Sequence, residues 1–428
     1  MQANSHKKIV VYSHDTFGLG NIRRMLAITE HLLDTIPDLS ILLISGSPMI
    51  HSFRLPQSRF DYLKLPSIGR TLAGDYIAKQ LGTNFKELVA VRSQIIQAAL
   101  ANFKPDVMIV DKKPRGIANE MYPTLRMIHK NMPATKVVLL LRDILDDPEV
   151  TRRIWSNNHY YQTLERYYHN ILVMGSRQVF DVCREYHFPK NIVSKVVFCG
   201  YINRSHIGAE ALPPALYSDF QKPRVLVTVG GGEDGFPQLQ HLLQGLKQYP
   251  QSVTFSTQIV TGPEMCQQHK EEILCLGRNL QYLQIMEFTP DLAAHMQAAD
   301  LIVSMAGYNT IVEILALNKR AIVIPRVKPV REQWIRASRL ARLGLLQCIH
   351  PGALSPLRLM QEISAQLDKL PAGPQAVDIM DFDGLNTATR SIKTLLQGRK
   401  IASPVERVLS ESFPVNNEPL EGPCSVFS

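Results

Sequence analysis

Short apolar runs alternate with stretches of helical periodicity along most of this chain. Lys8–Ser13 is a compact apolar run, and Ile22–Thr35 repeats its apolar residues on one helical face. Strand-like runs follow at Ser40–Ser45, Val107–Val110, Lys136–Leu141, Ile171–Met174 and Lys195–Phe198. Between them, Phe85–Asn102, Gly116–Met132 and Tyr160–Tyr168 carry helical patterns. Apolar strands too short and too continuous to have a polar face imply parallel strands covered by helices on both sides.

Residues 203–222 break this rhythm, with Pro213-Pro214 and no period, and read as a linker. The alternation then restarts. Strands are expected at Arg224–Val229, Phe255–Val260, Leu280–Ile285, Leu301–Ser304 and Ala321–Ile324. Helices are expected from Pro237, over Asp291–Ala298, Thr310–Ala316 and Glu332–Leu343, and at Thr387–Gln397. The predicted organisation is a first α/β domain over 1–202, the linker 203–222 and a second α/β domain over 223–372. A terminal helical segment over 373–399 and a disordered polar tail over 400–428 complete it.

The length, 428 residues, suits two domains, and 45% hydrophobic residues supply core for both. No apolar run is long enough to span a bilayer, and the opening residues are too short of apolar length for a signal peptide, so a cytoplasmic protein is expected. Six cysteines stand without a CxxC or a zinc spacing and read as reduced thiols. The net charge of +9 favours anionic partners, but no Lys/Arg block with interleaved aromatics points to nucleic acid.

Four loops at strand ends could carry chemistry. The first, Ser13 to Asn21, holds Gly18-Leu19-Gly20 before a helix and either offers free N–H groups to an anion or is only a tight turn. Arg23 stands where a dinucleotide fingerprint needs glycine, and no acidic residue ends the next strand, which argues against NAD. The second, Gly230-Gly231-Gly232, lets backbone approach a ligand but lacks the Gly-Lys-Ser/Thr of a Walker loop. The third runs from Ser304 through Gly307-Tyr308-Asn309-Thr310 to Glu313. Its helix start suits a phosphate and Glu313 suits a ribose diol, while a capping box with Asn309 or Thr310 as N-cap explains the same residues. The fourth brings Glu332 and Gln333, a carboxylate beside an amide, to a helix start, where they suit vicinal sugar hydroxyls or plain solvation.

Together these loops resemble the inverting GT-B glycosyltransferases of glycosyltransferase family 28. The resemblance is strongest from Arg224 to Leu345, through Glu287-Phe288-Thr289-Pro290-Asp291-Leu292, Ala299-Asp300, Ser304 to Glu313, and Gln333. In the first half it rests on Phe17-Gly18-Leu19-Gly20 and Arg23-Arg24, in an SHDTFGLG opening similar to a poorly characterised branch of predicted glycosyltransferases. The resemblance implies two Rossmann-like domains facing across a cleft, the first for an acceptor and the second for a nucleotide-sugar, most simply UDP-linked. It implies that Glu313 holds the ribose, that Gly307, Tyr308, Asn309, Thr310 and Gly230–Gly232 face the diphosphate, and that Phe288 and Thr289 meet the base. Glu332 and Gln333 would bind sugar hydroxyls, and Arg204 would lie near the phosphates.

One position departs from the family: the first glycine loop ends in Asn21 where the superfamily usually has histidine. An amide cannot take a proton as imidazole does. His14, Asp15 and Asp143 are the substitutes nearest in sequence, each with a reading as a cap or turn residue. Acceptor-loop candidates are therefore Gly18, Gly20 and Asp143, and catalytic candidates His14, Asp15 and Asn21. Neither metal nor cofactor is expected, and Asp381-Phe382-Asp383 reads as a turn and cap rather than a metal motif. Lys112, Lys113 and Arg115 could meet an anionic acceptor or membrane headgroups, or simply be solvated; a lipid-linked acceptor would bring peripheral membrane contact. Hexosyl or N-acetylhexosaminyl transfer is the leading expectation. A nucleotide-sugar epimerase of the same fold and a non-catalytic nucleotide-sugar sensor or partner subunit are the alternatives.

Overall fold

The computed structural model describes residues 6–14, 20–53, 55–70, 76–203, 222–369 and 376–401. Asp15, Gly18, Arg204, nearly all of the linker and the tail beyond Ile401 lie outside the described residues. The first unit contains β1 (Lys7–Ser13), β2 (Leu39–Ser45), β3 (Phe60–Lys64), β4 (Ile68–Arg70) and β5 (Tyr76–Ala78). It continues with β6 (Val107–Asp111), β7 (Lys136–Arg142), β8 (Asn170–Met174) and β9 (Val196–Phe198). The second contains β10 (Arg224–Thr228), β11 (Ser256–Val260), β12 (Leu283–Met286), β13 (Leu301–Ser304), β14 (Ala321–Val323) and β15 (Gln347–Cys348).

Seven strands form one parallel sheet in the order β3-β2-β1-β6-β7-β8-β9, and six form another in the order β12-β11-β10-β13-β14-β15. β4 and β5 make a separate antiparallel ribbon. Each large sheet reverses its strand order beside its first strand, between β1 and β6 and between β10 and β13. Loops leaving the carboxyl ends at such a switch point splay apart and leave a crevice. Strands β1, β6, β7 and β8 are buried almost throughout, which is why they read as continuous apolar runs.

Some expected elements shift for local reasons. The pattern over Gly116–Met132 becomes a short 3-10 turn, Ile117–Asn119, and a helix only over Tyr122–Asn131. Gly116, Ala118 and Asn119 have φ of 70°, 48° and 66°, which no α-helix accommodates. Strand β3, FDYLK, lies at a sheet edge with mixed burial and so lacks a clear apolar run. Helices at Pro148–Asn157, Gln267–Gly277 and Pro356–Asp368 were not expected from the pattern; Gln267–Gly277 buries only Ile273, so its period is nearly blank.

The terminal helix Gly384–Leu396 leaves the second sheet and packs against the helix Gly20–Thr35 of the first, with His31 Nδ1 2.9 Å from Thr389 Oγ1. Gly200, at φ 85°, passes so close to the turn before this helix that a methyl group would lie 2.6 Å from the Asp381 carbonyl. Asp381-Phe382-Asp383 forms that turn: the Asp383 amide donates to Asp381 Oδ1 at 2.7 Å, and Asp383 occupies the cap position without capping an amide. Among the described residues no helix is long and apolar enough to cross a membrane.

Beneath the loops at the carboxyl edge of the first sheet lies a fully buried ionic hub. Arg92 donates to both oxygens of Glu120 at 2.6 and 2.7 Å and to the Pro66 carbonyl, while Tyr12 Oη donates to Glu120 and accepts from the Ile117 amide. It ties the end of β1 and the chain after β3 and β6 into one base. Breaking a buried pair by removing one partner costs about 3–5 kcal/mol. Arg92→Met is therefore expected to lose stability on that scale in urea unfolding followed by tryptophan fluorescence. Arg92→Met combined with Glu120→Leu should recover a large part; a double variant no more stable than the single one would contradict this account.

Candidate active site

The loops at the carboxyl ends of β10, β11, β12, β13 and β14 form one wall of the crevice. Gly230 has φ 66° with open space around it, and Gly232 has φ 98°. Gly262, after β11, supports them from behind: at φ 85°, a methyl group there would meet Gly231 at 2.4 Å. The Gly231 carbonyl accepts from the Glu264 amide at 2.7 Å, and the Gly262 amide donates to the Glu287 carbonyl at 2.9 Å, linking the glycine loop to the segment before Phe288. Phe288 is 56% exposed, an aromatic face left open beside that loop, and Thr289 is half-buried. Gly262 was not singled out from sequence, because a lone glycine before proline has no distinctive spacing.

The third loop settles one alternative. The helix Tyr308–Ala316 begins with Gly307 at its N-cap and no side-chain cap, which puts Glu313 in its second turn, out of capping-box register. Its first amides are left for a ligand. A methyl group on Gly20, at the start of the first domain's helix Gly20–Thr35, would lie 3.5 Å from Asn309 Nδ2. Two helix N-termini thus meet across the crevice. Tyr308 itself turns away: its hydroxyl donates to the Met174 carbonyl of the first domain at 3.0 Å, and burial raises its pKa.

On the first domain's side, Asn21 is buried, its amide donating to the His14 carbonyl at 2.8 Å while its oxygen accepts from Arg24. Arg24 pairs with buried Asp111 at 2.7 Å, and Asp111 also accepts from the His14 amide. Asn21 therefore shapes the first loop. His14 is buried beside it. Asp143, at the end of β7, is held by Arg336 of the second domain through two 2.8 Å hydrogen bonds, both side chains fully buried. As a base it would first have to leave that pair.

Arg336 belongs to the helix Glu332–Arg342, whose spacing 332, 336, 339 places one face against the first domain. Arg336 also donates to the Ala306 carbonyl at 2.7 Å, and Arg339 pairs with Glu185 at 2.8 Å. Just before the helix, Arg331 pairs with Asp147 at 3.0 Å. Glu332 lies 3.2 Å from Arg142, 3.4 Å from Arg336 and 3.8 Å from Arg326. Burial alone would raise its carboxyl pKa, but Arg142, Arg336, Lys112 and Arg326 outweigh burial and hold it at about 2. Gln333 accepts from the Arg326 amide at 3.1 Å. Arg142, Arg326 and Arg336 were missed in the sequence, since their convergence spans two domains. Of the basic loop, Lys113 lies against Tyr76 and Arg115 bonds Thr163 and stacks on Tyr122.

Residues 225–380 match the glycosyltransferase family 28 C-terminal domain. A curated relative from Haemophilus influenzae (strain PittGG), a UDP-N-acetylglucosamine–N-acetylmuramyl-(pentapeptide) pyrophosphoryl-undecaprenol N-acetylglucosamine transferase, is 29% identical over 150 residues. That match takes in 35% of this chain, and the chain spans 41% of the relative's length. Among solved structures, Acinetobacter baumannii MurG aligns with TM-score 0.55 and 16% identity over 94% of this chain and 98% of its own. The UDP-GlcNAc 2-epimerase of Methanocaldococcus jannaschii aligns with TM-score 0.59 and 12% identity over 90% of this chain and 99% of its own. These two likenesses concern the fold. Residues 225–380 are thus a glycosyltransferase family 28 C-terminal domain, carried in a chain of GT-B fold whose two Rossmann-like units face across a cleft.

Proposed function

We propose that this protein transfers a hexosyl or N-acetylhexosaminyl group from a UDP-linked donor to an acceptor, with inversion and without a metal ion. The observation that carries the reading is the uncapped start of the helix Tyr308–Ala316 opposite Gly20, with half-buried Glu313 on the same helix. In this reading Phe288 and Thr289 meet the uracil, Glu313 accepts from the ribose hydroxyls, and Glu332 and Gln333 address the sugar. As the anomeric carbon–oxygen bond breaks, charge grows on the leaving diphosphate. The helix amides from Tyr308 to Thr310 and the backbone of Gly230–Gly232 are fixed dipoles aimed at that charge. Arg204 would add to them. The acceptor hydroxyl attacks from the first domain's side, past Gly18 and Gly20, and Asn21 leaves His14, Asp15 and Asp143 as the candidates for its proton.

The acceptor class to screen first is lipid-linked, because the Haemophilus relative's name specifies an undecaprenol-linked acceptor. That reading carries a cytoplasmic protein working at the inner membrane face. Epimerisation is the second reading, favoured by the fold likeness to a UDP-GlcNAc 2-epimerase. A sensor that binds the donor without turnover is the third. Incubation with UDP-N-acetylglucosamine without and with an acceptor separates them: an epimerase accumulates the epimer from donor alone, a transferase yields a product of opposite anomeric configuration by NMR only with acceptor, and a sensor yields neither.

Calorimetry with UDP, UDP-N-acetylglucosamine, UDP-glucose, GDP-mannose and NADH tests the donor site. Glu313→Ala removes charged hydrogen bonds and is expected to weaken uridine-nucleotide binding by about tenfold to a hundredfold. Binding of NADH alone, or no change in this variant, would refute the donor-site assignment. Gly262→Ala pushes a methyl group into Gly231 and should weaken UDP binding comparably while the far-UV spectrum stays native. Unaltered UDP affinity in Gly262→Ala would remove the glycine loop from the site.

A further inference from the structure

The positive charges around Glu332 do not all have counter-ions of their own. Arg336 is engaged by Asp143 and Arg326 by Asp234 at 2.8 Å. What remains is Lys112 and Arg142, at the carboxyl ends of the adjacent strands β6 and β7, sharing the single carboxylate of Glu332. Among the described residues Arg142 Nε is buried and makes no hydrogen bond, and half-buried Lys112 shows no side-chain hydrogen bond or ion pair. Lys112 is fixed in place by its backbone, at φ 68° with its amide donating to the Leu140 carbonyl at 2.9 Å. This wall of the cleft therefore presents more donors than the protein supplies acceptors for, and a buried donor such as Arg142 Nε is ordinarily satisfied.

We propose that Lys112 and Arg142 form an anion subsite on the first domain's wall of the cleft, with Glu332 as its resident counter-ion, and that a carboxylate or phosphate carried by the sugar or by the acceptor binds there. The inference rests on reading the cleft as the nucleotide-sugar site, and adds to it a substrate class: one reaction partner is acidic near the reacting centre. Anion binding lets Glu332 exchange Arg142 for sugar hydroxyls, so charge recognition and sugar recognition are coupled through one carboxylate.

The lysine supplies a readout. Burial, then repulsion from Arg142 and Lys113, against attraction to Glu332 and Asp111, lowers Lys112 to about 7. At pH 8 it is therefore mostly neutral, and an arriving anion raises its pKa and draws in a proton. Glu332, held at about 2, stays ionised throughout and contributes nothing to that uptake.

The test is calorimetry of the full chain at pH 8 in two buffers of different ionisation enthalpy, with wild type, Lys112→Met and Arg142→Met. UDP, UDP-glucose and UDP-glucuronate are titrated, and inorganic pyrophosphate is titrated into UDP-saturated protein. If the anion belongs to the sugar, UDP-glucuronate binds about tenfold or more tightly than UDP-glucose, the worth of one charged hydrogen bond. If it belongs to the acceptor, pyrophosphate binds the UDP-saturated protein. Either binding takes up protons, and both the uptake and the preference relative to UDP in the same variant fall in Lys112→Met and Arg142→Met. Equal affinity for the two sugars with no pyrophosphate binding overturns the proposal, as does anion binding that survives in both variants. If UDP itself fails to bind, the donor-site reading falls, and the pyrophosphate titration without UDP decides the subsite alone: binding lost in both variants upholds it, and no binding overturns it.

Discussion

A buried ion pair between domains, Arg336 with Asp143, sets the geometry on which the cleft depends. Two charged groups removed from water are costly unless each hydrogen-bonding atom is matched. Here the match is nearly complete: the guanidinium spans both carboxylate oxygens and the Ala306 carbonyl, and Asp143 Oδ1 also accepts from the Ile144 amide. The pair joins the end of β7 to the helix Glu332–Arg342, and the Arg336 bond to Ala306 extends the link to the chain after β13. Its close fit reaches one strand further, since a methyl group on Gly175 would lie 2.6 Å from Asp143 Cβ.

Around this pair the helix Glu332–Arg342 works as a ruler. Residues spaced four and three apart share a face, and all three on it reach charged partners in the first domain. The same helix holds Glu332 and Gln333, both buried, at its first turn. Domain apposition and, in the proposed reaction, sugar recognition therefore depend on one element, and a change in the partner of Glu332 is felt at the interface. The ionic hub of Arg92 and Glu120 does the corresponding work inside the first domain, holding the loops against which an acceptor would rest.

In the proposed reaction the chemistry left to the loops is electrostatic. Glycines at positive φ expose backbone, uncapped helix starts expose amides, and both present fixed dipoles that need no reorganisation when charge develops. The side chains nearest Asn21 are already committed to one another: Asn21 to His14 and Arg24, Arg24 to Asp111. These bonds give Asn21 a structural place in the loop.

Much of this was legible in the sequence because short-range physics dictates it. Buried parallel strands must be short and apolar, so β1, β7, β8 and β13 were apparent within a residue or two, and the glycine loops and Glu313 stood at strand ends where anion sites form. Elements whose stability comes from elsewhere were not: the edge strand β3, the mostly solvated helix Gln267–Gly277, and the helix broken by Ala118 and Asn119. Sequence also left open a capping box ending at Glu313, which Gly307 at the N-cap removes. Only the tertiary structure decided which charges meet. Asp143 is a loop carboxylate in the sequence and half of an interdomain pair in the fold, and Lys112, Arg142 and Glu332 converge from positions up to 220 residues apart. Backbone pattern is set by neighbours along the chain, whereas the energy of a charge is set by whatever the fold brings within a few ångströms of it.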